Sequence, residues 1–497
     1  MVFPDPDDGL KLVIRDRFLK GTEMELKSIW KKYYEVAPTQ LEKMKQVTGV
    51  ASVFNANIDA VLKVKPEMMR QWITQLKLDE KQLLASGDKK IVEPMDVLRG
   101  LTDSFIKGIA QEWVVFKAET FFWLRDHMGQ DRNQMGGQGG IIANVMAVCG
   151  IQNTYVHCAS LPERQAALFL DRPNLLSVDH QGHLIQASKI HRSDDLPLIH
   201  WILEFDKGSQ LTLGGEIYSC PKANRFIATY DPLNFKLHID EGFNKEMRKT
   251  SNPLEFILLS GYQLLSEPMQ SGGSGLDRID ESWSDVEAWK QAHPGCVIHL
   301  EFASTQNLII RKALVEKLAP LADTLGCNEQ EEIEMLVVMG EEALSNECAK
   351  LMDSVSLFKG LLKIFEKLKP GRIQLHMFGL YLTLARKDWK QSGENMRDGM
   401  VFAATLAAAK AGTGNLEKEE NLLWAHGREV SDHSLKELNA LSNYLLKAYG
   451  IEGFEYSGIA QTAEFQIVAV PTILIEKPVT LVGMGDTISS LSLVGAR

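Results

Sequence analysis

Near the carboxyl end the sequence reads "LVGMGDTISS", residues 481–490. Gly483, Met484 and Gly485 allow a tight backbone turn whose successive N–H groups converge on one point, and "TISSLSLVGA" reads as the helix that follows. The positive end of a helix at such a turn favours anions. There it would neutralise charge building on a transferring phosphoryl group. Asp486 beside it would accept the proton of an attacking hydroxyl. An ordinary turn with Asp486 as helix cap accounts for the same residues. The stretch lacks the third glycine of a dinucleotide fingerprint, and no acid follows about twenty positions later, so NAD is disfavoured.

A second group consists of oxygen donors. Glu301 in "HLE" and Asn328 and Glu331 in "NEQE" are the ligand types that Mg2+ prefers, often through retained water. Carboxylates at helix starts also arise from the helix dipole alone. "NANID" and "GGQGG" supply Asn55, Asn57, Asp59, Gly137 and Gln138, amides and acids suited to the hydroxyls of a sugar. Asn and Asp at strand ends are also routine turn formers. Glu112 in "GIAQEW" is a further candidate, with a solvated helix residue as the plain alternative. Lys189, Lys207, Lys222 and Arg225 follow one another within or just after a run of hairpins. Solvent exposure accounts for most such lysines, whereas the rigid fork of Arg225 suits a phosphate.

The elements that position these residues alternate. "VASVFNANIDAVLKV" reads as a strand ending in a polar cluster, and 65–112 as helical with interspersed charges. "GGQGGIIANVMAVCG" is a glycine turn feeding an apolar helix. Residues 24–47 form an amphipathic helix broken near Pro38. Between about 174 and 218, short alternating runs ("HLIQASKI", "LIHWILEF", "SQLTLGGEIY") indicate antiparallel strands and hairpins. Strand and helix then alternate again through "LEFILLSGYQ", "CVIHLEFAS", "RIQLHMFGLYLTLA" and the Ala-rich "MVFAATLAAAKAG". This is the pattern of an α/β protein with a mainly parallel central sheet flanked by helices. Ligands of such sheets sit at the carboxyl ends of the strands, where the polar groups above stand. The expected large domain comprises residues 1–59, 116–173 and 219–497, and a smaller inserted domain with β-strands takes 60–115 and 174–218. "SEPMQSGGSGLD" (266–277) reads as a surface loop.

Composition sets limits. A chain of 497 residues exceeds what one core usually supports. A formal net charge of −11 without a block of like charges argues against nucleic acid as a partner, and no apolar run reaches membrane-spanning length. The acidic start, "MVFPDPDDGLKLVIRDRF", lacks the order of a signal peptide. Six scattered cysteines without a CxxC pair imply reduced, buried thiols and a cytoplasmic setting.

In collinear order, "NANIDA", "MGGQGGIIAN", "LEFDKG", "ANRFI", "LSGYQ", "IHLEFAS", "GCNEQE", "RIQLHMFGLYL", "FAATLAAAKA" and "VGMGDTISS" resemble the ADP-dependent sugar kinases, the glucokinases and phosphofructokinases of the ribokinase superfamily. The resemblance runs from about residue 53 to 490. It implies a ribokinase-like large domain with a lid, ADP as phosphoryl donor and Mg2+ (or another divalent cation) as cofactor. It further implies Asp486 as catalytic base, with the backbone N–H groups of Gly483 to Asp486 forming an anion hole. Glu301, Asn328 and Glu331 would serve the metal, Arg225 the ADP phosphates, and His376 and Gly379 the adenine pocket. Asn57, Asp59, Glu112, Gly137 and Gln138 would hold sugar hydroxyls, and Lys189, at the lid, the phosphate of a sugar phosphate. Gly139 stands where relatives commonly carry alanine. The implied reaction is phosphorylation of fructose 6-phosphate, with glucose as a second substrate left open, by a monomer or small homo-oligomer. A dedicated ADP-dependent glucokinase, an ATP-dependent ribokinase-like enzyme and a catalytically silent sugar- or nucleotide-binding protein are the alternatives.

Overall fold

A computed structural model describes residues 24–85, 89–269, 272–480 and 483–497. The amino-terminal stretch read for a signal peptide lies outside the described residues, as do Leu481 and Val482 of the glycine turn and residues 270–271 of the surface loop. No helix among the described residues is long and apolar enough to cross a membrane. All six cysteines are buried and unpaired.

An eleven-stranded sheet organises the larger part of the chain. Its centre is parallel: Arg372–Met377, Thr324–Cys327, Val297–Glu301, Phe256–Leu259, Val50–Val53, Thr154–Val156 and Leu175–Val178 lie side by side in that order. Strands such as "FILL" are buried along their whole length, as expected where helices cover both faces and no solvent side requires polar alternation. Antiparallel strands finish the edges, Leu380–Arg386, Phe465–Pro471 and Ile459–Gln461 at one side and Leu184–Gln186 at the other. The Ala-rich helix Gly393–Thr413 packs against the last helix, Met484–Val494. Its small side chains let the two backbones approach, which brings the end of the chain to the ligand edge of the sheet. The break near Pro38 is present: residues 24–34 are helical, and a new helix, Ala37–Met44, begins beside that proline.

A second, six-stranded sheet runs Lys90–Ile91, Gln111–Val115, Asn224–Tyr230, Ile199–Phe205, Asn57–Lys63, Arg132–Gly136. Helices Pro66–Gln75, Pro94–Lys107 and Ala118–His127 bury one of its faces around Ile58, Leu62, Trp113, Trp201 and Phe226. Period-two alternation puts Asp59, His200, Thr229 and Glu112 on the other face.

The expected domain limits therefore shift. Arg132–Gly136 and Asn224–Tyr230, assigned above to the large domain, are strands of the small sheet, and helix Ala118–His127, assigned likewise, packs on it. Leu175–Val178 and Leu184–Gln186, assigned to the lid, extend the large sheet, and Gln210–Leu213 and Glu216–Ser219 pair only as a hairpin. "VASVFNANIDAVLKV" is two strands rather than one, split at 54–56 and shared between the sheets. Glu112 lies on a strand, not a helix. Short alternating segments carry the same local signal whichever sheet they join, so only the long-range pairing assigns them.

Candidate active site

The polar motifs gather where the chain passes between the two sheets. Asn57 donates through Nδ2 to Asp59 Oδ1 at 2.9 Å, both buried. The returning "GGQGG" segment presses against them. A Cβ on Gly136 would lie 2.1 Å from Asp59 Oδ1, and Gly137 (φ 75°) would place one 2.5 Å from the Asn55 carbonyl oxygen. Gly139 likewise leaves no room: a Cβ there would meet the Phe54 carbonyl oxygen at 2.4 Å.

Burial raises the Asp59 pKa, opposed by the His200 charge and by hydrogen bonds from Asn57 and Gln134. His200 Nε2 lies 3.1 Å from Asp231 Oδ2, and Asp231 also accepts from the Asn234 N–H and side-chain amide. Burial works against the imidazolium of His200, but Asp231, Glu112 and Asp59 together raise its pKa. Thr229 donates to Glu112 Oε1 at 2.6 Å. Asn57, Asp59, Glu112, Gly137 and Gln138 are thus brought to one region. His200 and Asp231 complete it and were missed in the sequence. The signal for His200 was present, since alternation in "LIHWILEF" sets it opposite the buried Ile199 and Trp201.

At the last helix, Gly483 adopts a left-handed conformation (φ 61°) as the N-cap, and among the described residues no side chain caps the helix. Asp486 sits in the first turn and is not the cap. Its Oδ1 instead accepts from the Gln138 side-chain amide. The amide oxygen of Gln138 is held by the Gly261 N–H at 3.1 Å and by Gln263 Nε2 at 2.9 Å, which turns its NH2 group toward Asp486. Burial raises the Asp486 pKa, while Gln138 and the Lys410 ammonium lower it. Lys410 donates to the Gly483 carbonyl at 2.9 Å and lies 3.3 Å from Thr487 Oγ1. Burial depresses its pKa to about 8. Nothing but an isolated lysine in an Ala-rich helix marked it in the sequence.

Across from this turn lies a buried acidic cluster. Ligand atoms of Glu301, Glu331 and His376 all fall within 4.8 Å of one another. His299 Nε2 stands 3.2 Å from Glu301 Oε2 and 2.9 Å from Ser489 Oγ, and Nδ1 stands 2.7 Å from Thr324 Oγ1. Burial lowers His299 to about 3 and His376 to about 4, so both imidazoles are neutral near pH 7. Glu301 is pushed well up by burial and by the charges of Asp486 and Glu331, and Glu331 rises to about 8, chiefly through burial. Among the described residues Glu301 Oε1 has no hydrogen-bond partner, and the ion pairs of this side chain are with those neutral histidines. Buried carboxylates that make no ion pair with a lysine or arginine among the described residues, one with an unused oxygen and only the charge of Arg372 to offset them, fit a divalent metal ion. Asn328 and Glu331 form a reciprocal capping box: Asn328 Oδ1 accepts the Glu331 N–H at 3.0 Å, and Glu331 Oε2 the Asn328 N–H at 2.8 Å. The Asn328 oxygen is thereby committed to the helix, while Glu331 keeps a second oxygen.

Other expected positions are redistributed. His376, expected at the adenine pocket, lies in the acidic cluster and against Gly485, where a Cβ would be 2.7 Å from its Nε2. Gly379 (φ 91°) turns the hairpin between Arg372–Met377 and Leu380–Arg386, next to His433 and the exposed Phe378. Lys189 follows the large-sheet strand Leu184–Gln186 and is ion-paired with Asp171 at 2.9 Å on the surface, not on the small sheet. Arg225 is exposed on the small sheet, in register with Glu204, and its guanidinium makes no ion pair among the described residues.

Fold and site define a two-sheet α/β protein that brings a helix start suited to anions close to a buried cluster of carboxylates. The chain belongs to the ADP-dependent phosphofructokinase and glucokinase family: the region described as "ADP-specific Phosphofructokinase/Glucokinase conserved region" matches residues 48–495. It is 30% identical to the ADP-specific phosphofructokinase of Methanosarcina acetivorans, over 95% of this chain and 97% of that one. To the ADP-dependent glucose/glucosamine kinase of Pyrococcus furiosus it is 29% identical, over 94% and 98% respectively. Among solved structures, an "ADP-dependent kinase complex with fructose-6-phosphate and ADPbetaS" superposes with a TM-score of 0.78 at 29% identity, covering 94% of this chain and 97% of that one.

Proposed function

We propose that the chain transfers the β-phosphate of ADP to the C1 hydroxyl of fructose 6-phosphate, giving fructose 1,6-bisphosphate and AMP. The observation that carries this reading is Asp486, held by Gln138 between the polar groups at the sheet crossing and the buried acids. Asp59, Asn57, Glu112 and His200 supply acceptors and donors for sugar hydroxyls. Asp486 takes the proton of the attacking hydroxyl. That oxygen bonds to the β-phosphorus as the bond from phosphorus to the bridging oxygen breaks, and the electron pair leaves with AMP. Backbone N–H groups of Met484, Gly485 and Asp486 face the charge that develops. Glu301 and Glu331, beside His376 and Asn328, would hold Mg2+, which supplies charge neutralisation for the phosphates. Arg225 meets a phosphate group, and the base lies toward the hairpin at Gly379. Closure of the small sheet over the sugar excludes water as a competing acceptor.

Glucose is the second reading, favoured by one observation. Lys189, the expected anchor for a sugar phosphate, is engaged by Asp171 outside the small sheet. Phosphorylation of glucose needs no such cation. An assay crossing ADP and ATP with fructose 6-phosphate and glucose decides. Turnover of fructose 6-phosphate with ADP supports the proposal. Turnover of glucose alone selects the glucokinase reading, and no turnover with either sugar removes both.

A further inference from the structure

Lys410, the buried cation behind the glycine turn, has no part in the proposed reaction so far. It stands near the end of helix Gly393–Thr413, 7% exposed, and its polar neighbours are the Gly483 carbonyl oxygen and Thr487 Oγ1. Burying an ammonium whose hydrogen bonds go to two neutral oxygens is costly, and the charge of Asp486 offsets only part of that cost. A structural lysine at this place gains little that a methionine would not. The location is informative. Gly483 opens the anion-facing turn, and its carbonyl also accepts from Thr487 Oγ1 at 2.7 Å. In a planar trans peptide the C=O and the following N–H point in opposite directions. A carbonyl drawn toward Lys410, behind the turn, therefore aims the Met484 N–H out of its other side. Asp486, three residues on, feels the same positive charge.

We propose that Lys410 is a positioning residue for phosphoryl transfer: its ammonium fixes the Gly483–Met484 peptide so that the Met484 N–H faces the transferring phosphoryl group. Lys410 touches neither substrate. It acts through the turn, and the ammonium keeps its proton throughout. The inference rests on the phosphoryl-transfer reading for its kinetic consequence alone.

Lys410→Met preserves the apolar stem and removes the charge. We expect kcat to fall on the order of 100-fold, the cost of a slightly misplaced donor, with KM for ADP and for the sugar near wild type. The melting temperature should change little, because the cost of the buried ammonium disappears together with its attraction to Asp486. Lys410→Arg should recover a large part of kcat. An unchanged kcat, a loss confined to KM, or a matching loss of melting temperature in both variants would overturn the proposal. So would failure of Lys410→Met and Lys410→Gln to fold, since Lys410 would then be a structural residue.

A measurement without turnover separates this inference from the functional reading. In 15N-methionine-labelled protein the Met484 amide is identified by its loss in Met484→Leu. On titration with inorganic phosphate it should move in the wild type and not in Lys410→Met. Equal movement in both sinks the positioning role, whereas a wild type inactive with every sugar sinks the functional reading instead.

Discussion

Gln138 and Asp486, 348 positions apart in the chain, are joined by a hydrogen bond from the Gln138 amide to Asp486 Oδ1. The Gly261 N–H fixes the amide's orientation from the other side. A residue of the sheet crossing thus holds the acid of the last helix, so groups suited to a sugar and the group suited to its hydroxyl proton form one unit.

Asp486→Asn should lower kcat on the order of 1000-fold, within the range for loss of a general base, without lowering the melting temperature. Gln138→Leu should cost less, on the order of 100-fold, because the acid remains but loses its orientation. Steady-state assays with a thermal melt of each variant check both. Wild-type turnover in Asp486→Asn would remove Asp486 as the base.

Asp59 is buried and aimed at the crossing with Asn57 and His200 around it. Asp59→Ala should raise KM for the sugar about 10- to 100-fold, the worth of a charge-assisted hydrogen bond, and leave KM for ADP unchanged. A parallel rise for ADP would place Asp59 outside the sugar site.

Glu331 gives a pH prediction with a definite sign. Its native pKa of about 8 lies above the ordinary 4.5. Its contribution to stability is therefore complete below pH 4.5 and lost as pH rises through about 8, because the unfolded chain releases the proton first. A divalent cation binds the ionised form. Added Mg2+ should raise the melting temperature more at pH about 8.5 than at pH about 5.5, and Glu331→Gln should abolish the difference. An equal Mg2+ effect at both pH values would count against Glu331 as a ligand.

The Lys189–Asp171 pair also makes an opposed prediction possible. If Lys189 anchors the phosphate of fructose 6-phosphate, Lys189→Ala raises KM for that substrate and spares glucose. Asp171→Ala, which frees the ammonium, then lowers the same KM. Both residues are largely exposed, so neither change should move the melting temperature much. Equal effects on both sugars would exclude the anchor.

Much of this was legible in the sequence, because strand ends and helix starts are local features. "HLE", "NEQE" and "GMGD" each close a strand or open a helix, so their carboxylates had to stand at the ligand edge of a parallel sheet. The glycines of "GGQGG" marked a turn feeding a helix, and Gly137 at φ 75° is the N-cap of helix Gln138–Val148. Tertiary structure alone decided partners. Whether a short alternating run joins the large or the small sheet depends on pairing with segments far away. That is why Leu175–Val178 and Arg132–Gly136 changed places. The rotation of a strand about its axis put His376 among the acids, and the docking of one helix on another brought Lys410 behind Gly483. Local sequence sets which residues can do chemistry. Which of them meet is fixed by long-range packing, since a side chain's charge and hydrogen bonds are settled by neighbours that the chain supplies from hundreds of positions away.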